Sequence, residues 1–119
     1  MSQPLGLMQN HIVRVVLPRG EHLDEQSARL LAAKLQFPQV GSPVAVLMDL
    51  TNVASVSRAA RAVFTNLTTV AAWALLGQTP VDRILAHFIL GGGFKSGPAS
   101  YFTSEAEAIT WLKEHAYVH

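Results

Sequence analysis

The chain has 119 residues, of which 50% are hydrophobic and 14% are charged, and its formal net charge is +1. This length and composition predict one domain over residues 1–119 with a single hydrophobic core. The small net charge and the scattered basic residues argue against nucleic-acid binding. The absence of cysteine excludes disulfides and thiolate metal ligands.

The N-terminal residues precede the first strand-like pattern, and we expect residues 1–10 to be disordered or to form an N-terminal extension. They do not combine a basic start with an apolar stretch and a small-residue cleavage site. We therefore predict no signal peptide and a cytoplasmic location. The longest apolar run, Val70–Gly77, is far shorter than the roughly 20 residues of a membrane-spanning helix, which predicts no transmembrane segment.

The first half of the chain predicts a strand, a helix and a second strand. His11–Leu17 is rich in β-branched residues and is followed by turn residues, as strands often are. Glu21–Phe37 has leucines at helical spacing and ends before Pro38, which predicts a long helix. Val44–Leu50 is apolar except for Asp49 and predicts a central strand that is buried on both faces.

The second half begins with a predicted helix capped by Ser57, since four apolar residues recur there at helical spacing: Ala60, Val63, Phe64 and Leu67. Thr68–Leu76 is predicted to form the next strand. Another helix begins at Thr79–Pro80, where proline suits the first turn. Its apolar residues predict a core stripe made of Val81, Ile84, Leu85, Phe88 and Ile89.

The glycines Gly91–Gly93 are predicted to end this helix, because glycine adopts the left-handed backbone that helix ends favour. Ala99–Phe102 predicts a short edge strand, and Thr103 or Ser104 caps a last helix that extends through Leu112. This alternation predicts an α/β fold with a single small sheet of about four to five strands and crossover helices.

The strand Val44–Leu50, with the sequence VAVLMDL, and the following turn Thr51–Val53 resemble STAS domains, the anti-sigma factor antagonists typified by stage II sporulation protein AA. In that family the next helix starts with Asp-Ser-Ser-Gly, and its first serine is phosphorylated. Without gaps, Ser57 takes the place of that aspartate and Arg58 the place of the phosphorylated serine. The resemblance therefore implies a STAS-like fold that lacks the usual phosphorylatable serine.

Three later stretches are similar to a divergent set of small bacterial STAS-like and CRAL-TRIO-like proteins: Ala71–Gly77, Pro80–Ala86 and Tyr101–Leu112. In that set the last helix opens after a phenylalanine with Glu-Ala-small-Trp-Leu. The resemblance implies architecture far more than function, because one fold hosts many functions. Kinship with CRAL-TRIO proteins would allow a small apolar ligand or a lipid.

A candidate anion or partner site follows the central strand and consists of Asp49, Asn52, Ser55, Ser57, Arg58 and Arg61. The strand end is where open α/β sheets often bind ligands, although Asp49 is more typical of a carboxylate that holds a turn by bonding backbone N–H groups of Thr51 and Asn52. The alternative to an anion site is a Ser57 helix cap beside two solvated arginines. We favour the turn for Asp49, the cap for Ser57 and solvated side chains for the two arginines.

A candidate apolar pocket or dimer surface consists of Phe88, Ile89, Leu90, Phe94 and Tyr101. Because half of this small chain is hydrophobic, we expect a homodimer, formed through these side chains or through the free edge of Ala99–Phe102. The alternative is that the side chains pack inside a dense core.

No catalytic, cofactor or metal residue is predicted. Gly91–Gly97 follows a helix, which is the reverse of a phosphate loop. His115 and His119 lack a third ligand nearby in sequence, and His87 is expected to be partly buried on its helix. Trp73 and Trp111 are typical of core or half-core aromatic residues.

Three functions remain from the sequence. The favoured one is a non-enzymatic regulatory or protein-interaction domain of STAS type, with a protein partner at Asp49–Arg61. The second is a binder of a small apolar ligand or lipid, with a cavity beneath the helix Val81–Leu90 and Gly91–Gly93 as its gate. The third is an enzyme of unknown class that uses residues not joined by any motif: Asp49, Asp82 or His87.

Overall fold

The computed structural model describes residues 6–7, 12–17, 19–35, 44–67, 70–95 and 97–116. Its elements in chain order are β1 (Gly6–Leu7), β2 (Ile12–Val16), β3 (Glu21–Leu23), α1 (Glu25–Leu35), β4 (Val44–Asp49), β5 (Val53–Val56), α2 (Arg58–Thr65), β6 (Val70–Leu76), α3 (Pro80–Leu90), β7 (Ala99–Phe102) and α4 (Glu105–Ala116). Within the described residues, every helix is too short or too polar to cross a bilayer.

The main sheet has five strands in the order β1-β2-β4-β6-β7. Strands β2, β4, β6 and β7 are parallel, and β1 joins the edge in the antiparallel sense. The α/β prediction is therefore confirmed. Gly6 and Leu7 belong to the stretch 1–10 that the sequence assigned to an extension, and the rest of that stretch lies outside the described residues.

Helices cover both faces of this sheet. Alternate residues of β4 point to opposite faces, so Val46 and Met48 join the larger core beneath α1, α2 and α3, while Ala45 and Leu47 join a smaller core beneath α4. All of β4 is buried, as the continuous apolar run predicted. The carboxyl ends of β4 and β6 thus lie at one edge of a closed hydrophobic layer.

The helix predicted over Glu21–Phe37 begins only at Glu25, which corrects the sequence analysis. Asp24 accepts a hydrogen bond from the Ser27 N–H at 2.8 Å, and the same bond lowers the pKa of the Asp24 carboxyl. This cap places the helix start after Asp24. The preceding residues form β3, which pairs in parallel with β5 in a small second sheet that the sequence analysis missed. Residues 36–37 lie outside the described part of the chain.

Helix α3 begins as the sequence predicted, but its C-terminus differs from the prediction. Thr79 accepts from the Asp82 N–H at 3.1 Å, and Asp82 accepts from the Thr79 N–H at 3.0 Å, which forms a capping box. The C-cap Gly91 has a right-handed backbone, with φ of −65°. The left-handed residue is Gly93, with φ of +73°.

Candidate functional site

Asp49 holds the turn at the end of β4. Its Oδ1 atom accepts from the Thr51 N–H at 2.9 Å and from the Thr51 hydroxyl at 2.6 Å. Its Oδ2 atom pairs with Arg14 at 3.3 Å. Asn52 was predicted to belong to an anion or partner site, but its side chain donates to the Leu17 carbonyl oxygen at 3.1 Å. Both residues therefore use their polar atoms within the fold.

Arg14 is a residue that the sequence analysis missed at this site. It also forms an ion pair of 2.5 Å with Glu105, so one guanidinium joins β2, β4 and the start of α4. The feature of the sequence that could have indicated this role was a charged residue within an otherwise apolar strand. Such residues are buried only when they are paired, and the partners are distant in sequence.

Ser57 is the N-cap of α2, which confirms the prediction. Its Oγ atom accepts from the Ala60 N–H at 3.0 Å, and its own N–H donates to the Leu23 carbonyl oxygen at 2.8 Å. Ser55 lies two residues earlier, and its hydroxyl is 2.7 Å from Nδ1 of His22 across the β3–β5 pair. His22 was not identified from the sequence because β3 itself was not.

The two arginines of α2 differ in their surroundings. Arg61 is half-buried, donates to the Phe88 carbonyl oxygen at 3.1 Å and lies over the Phe88 ring at 4.4 Å from its centroid. The prediction that its charged group is solvated is therefore wrong, because α2 and α3 approach each other there. Arg58 is exposed and has no hydrogen-bond or ion-pair partner in the part of the chain that the structure describes.

The predicted apolar surface is largely packed inside. Ile89 is 0% exposed, and the other members are half-buried against the larger core: Phe88, Leu90, Phe94 and Tyr101. Phe94 packs on the buried indole of Trp73 with ring centroids 5.1 Å apart. These contacts favour the alternative of a dense core. Strand β7 lies at the sheet edge as predicted.

Two residues assigned to the core stripe of α3 are instead exposed, Val81 by 56% and Ile84 by 67%. The buried face of α3 is formed by Asp82, Ala86 and Ile89, which are spaced four and three residues apart and turn Val81 and Ile84 outward. His87 is also exposed, which corrects its predicted burial. The outer face of α3 is therefore apolar where the helix begins.

Other features lie away from these residues. An open groove of 390 Å³ runs between α1 and α2, and four alanines line it together with larger apolar, polar and charged side chains: Ala32, Ala33, Ala59 and Ala62. The described residues contain no group of His, Asp and Glu side chains arranged to hold a metal ion. His119 lies outside them.

Residues 7–116 match the family model described as Domain of unknown function (DUF7793). The chain belongs to this family. The fold of the DUF7793 chain is similar to the crystal structure of an uncharacterized protein from the DUF3478 family with a SpoIIAA-like fold from Shewanella loihica PV-4. That match has a TM-score of 0.58 and 18% identity, and covers 91% of this chain and 90% of the other. It confirms the SpoIIAA-like, and hence STAS-like, fold predicted from the sequence.

A protein with unknown function from Arthrobacter sp. FB24 is 38% identical over 91% of the DUF7793 chain and 96% of its own, with a TM-score of 0.36. The comparison with curated proteins found no match.

Proposed function

We propose that this DUF7793 domain is a non-enzymatic regulatory or protein-interaction domain of STAS type that acts without a phosphorylatable serine. Its partner surface consists of Arg58, Val81 and Ile84. Helix α3 packs against β5 and α2, the two elements that lead into and contain Arg58. As part of the same proposal, the domain acts in the cytoplasm and requires no cofactor.

The observation that carries the proposal is the position of Arg58. It is an exposed cation in the first turn of α2, without an ion-pair partner among the described residues, at the position where the sequence resemblance places the phosphorylated serine. A cation there opposes the helix dipole at a cost of about 0.3–1 kcal/mol. The first turn of α2 has no acidic residue to offset that cost. A carboxylate on a partner would make the charge favourable.

The exposed side chains of α3 supply the apolar part of such an interface. Val81 and Ile84 are large β-branched residues in the first turns of a helix whose far side is fully packed. Recognition surfaces typically combine an apolar centre with charged groups at the rim. An acidic partner with an apolar centre therefore fits this surface.

The other functions have less support. Asp49 and Asp82 each accept hydrogen bonds that hold a turn or a helix start, and His87 is exposed on α3. Nothing in this arrangement favours an enzyme. Binding of a small apolar ligand is favoured by one observation at Trp73, which concerns a separate part of the core and is argued below.

The test is capture of partners from the source cells after mild crosslinking, with quantification by mass spectrometry. Proteins recovered with the unmodified chain should be lost with Arg58→Glu and with Ile84→Asp. Leu30→Asp is the matched control, because Leu30 on α1 is 63% exposed and Ile84 is 67% exposed. Equal recovery with Ile84→Asp and Leu30→Asp would contradict the proposed surface.

A further inference from the structure

Within the described part of the chain, the indole N–H of Trp73 is a buried donor without an acceptor. Trp73 lies in the middle of β6 and is 0% exposed, and its Nε1 atom has no hydrogen-bond partner among the residues that the structure describes. A donor that leaves water without gaining another acceptor costs about 1–3 kcal/mol. Native cores pair nearly all such groups, so an unpaired N–H in the centre of the sheet requires a physical reason.

Two aromatic rings cover this indole, and the chain holds them differently. Phe64 belongs to α2, is 0% exposed and meets the indole edge to face, with ring centroids 5.9 Å apart. Phe94 lies outside every helix and strand and is half-buried. The Phe64 ring is therefore held in place by its helix, whereas the Phe94 ring can move away from the indole without disrupting a helix or a sheet.

The backbone just before Phe94 is uncrowded. Gly93 has φ of +73°, and no atom lies near the position that a Cβ would occupy there. Two backbone hydrogen bonds flank Phe94, from Gly93 to the Leu90 carbonyl at 3.2 Å and from Lys95 to the Thr65 carbonyl at 3.0 Å. Changes in backbone dihedral angles between these two attachments would turn the ring toward solvent.

We propose that Phe94 is a displaceable plug over a ligand site whose polar anchor is the Trp73 N–H. The ligand class is a small apolar ring compound with one carbonyl acceptor. Its ring takes the place of the phenyl group against Phe64 and the indole, and its carbonyl oxygen accepts from Nε1. Apolar cavities the size of a benzene ring bind such molecules. This site does not depend on the partner surface at Arg58.

The first experiment follows the indole directly by NMR. The chain has two tryptophans, so Trp111→Phe leaves Trp73 as the single indole N–H. This protein, labelled with ¹⁵N, is titrated with acetophenone and separately with ethylbenzene, which has a similar shape and no acceptor. Acetophenone should move the Nε1–H resonance downfield to saturation. Ethylbenzene should bind about twofold to tenfold more weakly, as expected for the loss of one net hydrogen bond.

Variants test whether Phe94 is the plug. Phe94→Leu removes the ring but keeps an apolar side chain, and it should tighten acetophenone binding at least about fivefold because a larger fraction of the protein is open. The matched control is Phe102→Leu, which removes another half-buried ring that packs against residue 111 on the opposite face of the sheet. This control should leave the affinity unchanged.

Three results would overturn the proposal. One is an Nε1–H resonance that does not move in either the Trp111→Phe protein or the same protein with Phe94→Leu. Another is equal tightening by Phe94→Leu and Phe102→Leu. The third is equal affinity for acetophenone and ethylbenzene, because the indole N–H would then not anchor the ligand.

Discussion

Arg61 and Phe88 join α2 to α3 through two contacts made by one guanidinium. Nη1 of Arg61 donates to the Phe88 carbonyl oxygen at 3.1 Å, and the same group lies 4.4 Å from the centroid of the Phe88 ring. Gly92 permits this approach, because a Cβ at that position would lie 2.9 Å from the aliphatic part of the Arg61 side chain. The contact fixes the end of α3 beside the glycine-rich turn.

Arg61→Ala should therefore lower the free energy of unfolding by about 1–2 kcal/mol, the combined size of a cation–π contact and a hydrogen bond in a half-buried place. Urea denaturation followed by circular dichroism measures the change. Arg58→Ala is the control, because Arg58 on the same helix is exposed, and it should not lower the free energy of unfolding. Equal effects would mean that the Arg61 contacts add no stability.

The difference between these two arginines shows what the sequence could not predict. Helix α2 and its Ser57 cap follow from local spacing, and β4 follows from a continuous apolar run. The contact between Arg61 and Phe88 joins residues 27 positions apart. No local pattern distinguishes such a residue from a solvated arginine, because both suit an amphipathic helix.

The second sheet and Arg14 were missed for the same reason. Strands β3 and β5 have three and four residues, too few to show a period, and their pairing depends on partners more than 30 positions apart. Glu21–Leu23 also carried a leucine at helical spacing with α1, so a helix was predicted through it. Only the cap at Asp24 separates the two elements.

Arg58→Glu should make the domain more stable while it removes partner binding. A carboxylate in the first turn of α2 interacts favourably with the helix dipole, so the free energy of unfolding should rise by about 0.5–1 kcal/mol. Urea denaturation at low salt measures the gain, and Arg58→Ala should give a smaller one. A loss of stability in Arg58→Glu would show that the arginine supports the fold, and would weaken its assignment to a partner.

Ser57→Ala should lower the free energy of unfolding by about 1 kcal/mol, because the Ala60 N–H loses its acceptor at the start of α2. Ser55→Ala is the control: its hydroxyl bonds only an exposed histidine in the described structure, and the loss should be below about 0.5 kcal/mol. Phosphoproteomics of the source cells should find no substantial phosphate on Ser57. High occupancy there would contradict the assignment of Ser57 as a cap alone.

Tyr101 should make the domain less stable at alkaline pH. Its pKa is raised, first by burial of the phenol and then by the negative charge of Asp82. Above about pH 10 the unfolded chain therefore loses this proton before the folded chain does, and the free energy of unfolding falls as pH rises. Urea denaturation at about pH 9 and pH 11 should show a smaller fall for Tyr101→Phe. Equal falls in both proteins would assign the alkaline loss to other groups.

The homodimer stays a prediction, and the structure limits how it can form. The apolar side chains that were predicted to form a dimer surface are buried or packed on the core: Ile89, Phe88, Leu90 and Phe94. Of the two predicted surfaces, the edge of β7 is therefore the one that remains for self-pairing. The carbonyl groups of Pro98 and Phe102 face β6. By alternation along a strand, the backbone groups of Ala99 and Tyr101 face outward, where an antiparallel copy can pair with them.

Sedimentation equilibrium at micromolar concentration should then give twice the chain mass of 12.9 kDa. Ala99→Pro removes one outward N–H from the edge and should give a monomer, because proline cannot donate to a new strand. Leu30→Asp, which changes an exposed residue on α1 away from this edge, should remain a dimer. A monomer mass for the unmodified chain would contradict the dimer, and a dimer that persists in Ala99→Pro would place its interface elsewhere.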